Sequence, residues 1–177
     1  MHFELEADAV KKQYIRRTQI WGVTAAMTVN ADDLAMNSET EERIFSITEE
    51  VREYLEGSRT NIEQIILDNG YLSAANRRAD LSVNRKGMLS SVNKLISAFG
   101  KNKEKTDEEV KYLSPVTEEE FRKSLYIDEI ALYPDCNFDY SDQMEIYVVC
   151  KPDYLKGHAI EIILNTDGTA DEIRLFG

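Results

Sequence analysis

The chain has 177 residues, 42% of them hydrophobic, with nine tyrosines, six phenylalanines and a formal net charge of −12. That length suits one domain with a substantial core, and the aromatic content is that of a folding chain rather than a disordered one. Thirty-three acidic against 21 basic side chains repel a phosphate backbone, which argues against a nucleic-acid partner. The excess is uneven: residues 31–70 carry −8 and 112–177 carry −9, while 1–30 carry +1 and 71–111 carry +4. Solvated helix faces account for such a pattern, and so does an acidic surface that attracts a basic protein. "MHFELEADAV" has neither the charged start nor the apolar core of a signal peptide. No run approaches the ~18 apolar residues of a membrane span, so a cytoplasmic protein that does not enter membranes is expected. Cys136 and Cys150 lack a CxxC spacing and are expected as free thiols.

In chain order, "VKKQYIRRTQ" fits a strand or a short helix, the strand being favoured. It precedes "IWGVTAAMTV", where Trp21, Val23, Ala25, Met27 and Val29 share one parity, the period of a half-buried strand. Ser38 with Glu41 predicts a capped helix whose stripe is Ile44, Ile47, Val51, Tyr54 and Leu55, ended by Gly57. Thr60 with Glu63 predicts a second cap, before a helix burying Ile62, Ile65 and Ile66 and interrupted at Gly70. "YLSAANRRADL" extends it, and "GMLSSVNKLISAFG" predicts a further helix through Leu89, Val92, Leu95, Ile96 and Phe99. "KNKEKTDEEVK", residues 101–111, has one apolar residue in eleven and reads as an exposed connector, the expected seam if residues 1–100 and 112–177 form separate parts of one domain. Thr117 and Glu120 cap a short helix. "YIDEIALY", "FDYS", "MEIYVVC", "HAIEIILN" and "EIRLFG" follow as strands, with turns at Pro134-Asp135 and Asp167-Gly168. The expected fold is α+β: an N-terminal strand or hairpin, a helical middle, and a C-terminal antiparallel meander of about four strands packed by helices.

For chemistry the sequence offers little. His158 shares its parity with Ile160, Ile162 and Leu164, which places it on the buried face of a strand as a structural group. His2 is the sole other histidine, so zinc chemistry lacks ligands; no GxSxG, GxxxxGK[ST] or GxGxxG occurs, and no cofactor is expected. An enzymatic alternative combines His158 with Asp153 or Glu161, although Glu161 has the opposite parity. Around the first strands of the meander, Tyr133, Asp135, Asp139, Tyr140, Asp142, Glu145 and Tyr147 form the candidate interface. Tyrosine offers rigid area with a polar tip, and the carboxylates offer charge; a divalent metal there lacks the EF-hand spacing.

Taken together, "TEEEF", "LYIDEIALYPD", "FDYSD" and "DYLKGHAIEIILNTDGTADEIRLFG" resemble the bacterial family designated domain of unknown function 2262. Its members carry a Thr-x-x-x-Phe helix start, an Ile-rich strand, and a Gly-His-x-Ile strand followed by an Asp-Gly turn and a final glycine. The likeness is best over residues 117–177 and extends weakly to residue 15. Leu155-Lys156 stand where the family has an aromatic pair, and residues 81–111 depart from its pattern. The resemblance implies a bacterial, cytoplasmic, non-enzymatic protein, of a kind proposed to act as immunity proteins against toxins. With the acidic excess, it points to a protein-binding module that occludes a basic toxin or nuclease; the enzyme around His158 and a self-associating subunit stand as alternatives.

Overall fold

In the computed structural model, which describes residues 5–8, 12–31, 37–77, 115–134 and 143–177, the chain builds one seven-stranded sheet in sequential order. The strands are β1 (Leu5–Asp8), β2 (Gln13–Ile20), β3 (Val23–Asn30), β4 (Leu125–Leu132), β5 (Gln143–Cys150), β6 (Ala159–Asn165) and β7 (Ala170–Phe176). Between β3 and β4 come α1 (Ser38–Gly57), α2 (Arg59–Asp68) and α3 (residues 71–77), then α4 (Glu118–Ser124). Neighbouring strands are antiparallel throughout except β3 and β4, which run parallel. A parallel pair needs a crossover, and the helical middle supplies it. The α+β expectation and its order of elements therefore describe the molecule, with the front hairpin and the C-terminal meander fused into one sheet.

Three local expectations are corrected. The strand drawn through residues 20–29 breaks at Trp21-Gly22, where both residues have positive φ (52° and 79°), the pattern of a two-residue hairpin turn joining β2 to β3. Trp21 holds this uncommon conformation because its backbone N–H donates to Glu56 at 2.9 Å and its indole N–H to the Leu55 carbonyl at 2.9 Å. Asn37, one residue before Ser38, caps α1, its side-chain oxygen accepting from the Thr40 amide at 2.9 Å. The expected box at Thr60 and Glu63 does not form: α2 follows Ser58 without a side-chain cap, and Glu63 is buried with Arg59 at 2.8 Å and Arg122 at 3.5 Å. Thr117 and Glu120, by contrast, make the full reciprocal box at the start of α4. The helix expected over 87–100, the connector 101–111 and the "FDYS" strand lie outside the described residues.

Strand alternation sends Tyr14, Ile20, Met27, Val29, Ile127, Ile130, Ile146, Val148, Ile160 and Ile162 to the helix side, where they pack with Ile44, Val51, Leu55, Ile62, Ile66 and Phe121 in one core. Fully burying such a side chain stabilises the fold by about 1.5–3 kcal/mol. α1 is tied down at its middle and near its C-terminal end. Arg16 of β2, 5% exposed, bonds Thr48 at 2.9 Å and pairs with Glu49 under the Phe45 ring, while Tyr54 donates to the Asn165 carbonyl at 3.1 Å. Beside it Asn61 donates to the Gly168 carbonyl at 2.7 Å; Gly168 has φ +88°, and a Cβ there would meet the Asn61 amide at 3.2 Å. Glycine is therefore required at the last turn.

Candidate functional site on the open face of the sheet

The described helices leave the other side of the sheet uncovered. Regular alternation would place Asp128 and Glu129 on opposite sides of β4. Instead Ile127 stands opposite Val148 and Glu129 opposite Tyr147, so Asp128 is an extra residue in a bulge. Ile127 and Ile130 both remain fully buried, which turns the two carboxylates between them outward together.

Beside them stands a hydrogen-bonded chain of tyrosines and carboxylates. Tyr133 donates to Glu145 at 3.1 Å, and the Tyr147 hydroxyl lies 3.3 Å from both Glu145 and Glu161. Arg174 grips Glu161 through its Nε, and through a terminal nitrogen at 3.1 Å, and reaches Glu172 at 3.1 Å. Glu161 is 4% exposed, and the Arg174 hydrogen bonds hold its carboxyl below the usual value against the opposing effect of burial. The Tyr147 phenol is pushed far up, first by burial and then by the charges of Glu145 and Glu161; the Tyr133 phenol is raised by burial and Glu145. Both phenols accordingly stay protonated and act as donors at neutral pH.

Of these side chains, Asp128, Glu129, Tyr133 and Tyr147 border a depression of about 470 Å³. Asp128, Glu129, Tyr133, Tyr147 and Phe176 form its charged and aromatic walls, Ala131 and Ala159 are small residues in its lining, and Gln13 and Asn30, bonded at 2.7 Å, close one end. Phe176 meets the Tyr147 ring edge-on at 5.3 Å, fixing both rings. Negative charge, aromatic faces and neutral amides suit the binding of a cation. The basic residues of the seven strands are Arg16, which turns to the helix side, and Arg17 and Arg174, so the open face keeps a negative balance.

The sequence candidates divide into those brought together and those that are not. Tyr133, Glu145 and Tyr147 meet in one network, whereas Asp135, Asp139, Tyr140 and Asp142 lie outside the described residues. His158 precedes β6 rather than lying in it and is half-buried, which departs from the expected place on the sheet's buried face. Its Nδ1 approaches the carbonyls of Leu155 and Lys156 at 3.0 and 3.2 Å, and so donates back into its own turn. Asp153 braces the same turn, accepting from the amides of Leu155 at 3.1 Å and Gly157 at 2.7 Å. Glu161 faces the open side, as its parity predicted. Asp128, Glu129 and Phe176 escaped the sequence reading. The signal for the first two was present, since buried positions switch from odd (Leu125, Ile127) to even (Ile130, Leu132) across them, and such a switch marks a bulge.

Cys150 is a free, buried thiol pushed up to about 11 by burial; Cys136 lies outside the described residues. Among the described residues no group of three or more His, Cys, Asp or Glu side chains converges as a metal site, and no helix is long and apolar enough to cross a membrane. No family model, curated protein or solved structure matches the chain.

Proposed function

We propose that this chain is a protein-binding module of the immunity type, acting in the bacterial cytoplasm, which covers a basic toxin or nuclease with the open face of its sheet. The observation that carries the reading is the pairing of Asp128 and Glu129 on one side of β4, next to the bonded Tyr133, Glu145 and Tyr147. Tyrosines are enriched at protein interfaces, and a surface of one sign speeds association with the opposite sign and rejects wrong partners. A net charge of −12 favours a basic protein over nucleic acid. The resemblance of residues 117–177 to a bacterial family of a kind proposed to act as immunity proteins supports the immunity form. Occlusion requires no catalytic group, in keeping with the use of His158 and Asp153 on their own turn.

The test is capture of partners from the host lysate by the tagged chain at low and then moderate salt. The wild type is expected to retain one basic protein that added salt releases. The Asp128→Lys/Glu129→Lys variant is expected to lose it at unchanged melting temperature, whereas Glu42→Lys on the exposed side of α1 retains it. Equal capture by both variants removes the open face as the binding surface.

A further inference from the structure

We infer that the depression on the open face seats a guanidinium group, specifically an arginine side chain of the basic partner; this deepens the sheet-face reading and rests on it. Independent features of the site converge on that chemistry. The bulge turns Asp128 and Glu129 into the same depression, and a planar fork of N–H donors can engage more than one carboxylate. Tyr133, Tyr147 and Phe176 wall the same space, and a cation over an aromatic face is attracted by the ring's quadrupole.

Exposure points the same way. Phe176 and Tyr133 are 52% and 48% exposed, and both border this one depression. Large apolar side chains left open around a concave surface mark a place where something else completes the packing. The walls are also fixed in advance. The two phenols are anchored on Glu145, and Phe176 rests edge-on against Tyr147. An incoming group therefore meets set rings rather than ordering them. The 470 Å³ lies within the roughly 300–1,000 Å³ of small-ligand sites, which leaves room for the arginine stem and part of its neighbours. Guanidinium is favoured over ammonium because it stacks on rings and is weakly hydrated, so entering a walled site costs it less.

The experiment titrates the full chain with Nα-acetyl-L-arginine methylamide and follows the aromatic NMR resonances of Tyr133, Tyr147 and Phe176. The citrulline and lysine counterparts serve as controls. Saturable shifts of these three rings are expected with the arginine compound, with affinity about tenfold weaker for lysine and no saturation for neutral citrulline. Asp128→Asn/Glu129→Gln, verified as folded by its amide spectrum, is expected to weaken arginine binding by at least about tenfold. Equal binding of citrulline, equal binding of lysine, or an unchanged affinity in the double variant would each overturn the assignment. A silent titration beside salt-sensitive capture of a basic protein overturns the arginine seat and leaves the sheet-face reading intact. Saturation without any captured protein sinks the partner as the source of the group.

Discussion

The two faces of the sheet share the same strands and are held by different forces. On the helix side, Ile130, Ile146, Ile162 and their neighbours are wholly buried, and the contact is apolar packing with one charged intruder from the described strands, Arg16. On the open side, order comes from directed bonds: tyrosine to carboxylate, and carboxylate to Arg174. Apolar burial is strong and non-directional, whereas hydrogen bonds near solvent are individually weak but fix side-chain positions. Stability accordingly concentrates on one face, and a preset recognition surface on the other.

The contrast can be broken at its strongest point first. Ile146→Ala in a central strand is expected to destabilise the chain by about 2–5 kcal/mol, read by urea unfolding; a loss below that range would mean that the helix side is loosely packed. Next comes the intruder. Glu49→Ala leaves the Arg16 guanidinium without its carboxylate and should cost about 2–3 kcal/mol, below the usual figure for a fully buried pair because Glu49 is one-third exposed. Arg16→Met added to that variant should restore most of the loss; failure to do so would show that Thr48 and Phe45, which also hold Arg16, matter more than the pair.

The smallest expected effect sharpens the open side. Arg174 holds the Glu161 carboxyl below its ordinary value of 4.5, so the folded state binds this proton less tightly than the unfolded chain. The stabilisation is therefore complete above the unfolded value and disappears as pH falls through the lower, folded one. The contribution is small, since Arg174 is more than half exposed and screened. Glu161→Gln should remove that part of the acid-limb slope in pH-dependent unfolding and leave stability little changed once the pH is below the folded value. A variant with the slope of the wild type would assign the acid sensitivity to other carboxylates.

Much of this arrangement was legible beforehand. The stripe Ile44, Ile47, Val51 and Leu55, the Thr117–Glu120 box and the 143–177 strands follow from helical spacing, reciprocal capping and alternation, all local properties. Cap choice at α1 and α2 was less legible, because Asn37 and Ser38 are both good caps and only the chain's entry direction selects between them. Of the candidate site, the tyrosines and Glu145 were found by composition, while Phe176 was missed because nothing near residue 176 signals that it will lie beside Tyr147, 29 positions away.

What the sequence by itself determined is the set of elements, their buried stripes and the acidic excess, because periodicity and charge are written residue by residue. The tertiary structure decided which elements became neighbours. Pairing β3 with β4 in parallel joined two separate meanders into one sheet, and the described helices between them cover a single side. That one-sided cover turned Asp128, Glu129, Tyr133, Tyr147 and Phe176 into a common surface. Long-range strand pairing depends on the packing of the whole chain, and no local pattern specifies it.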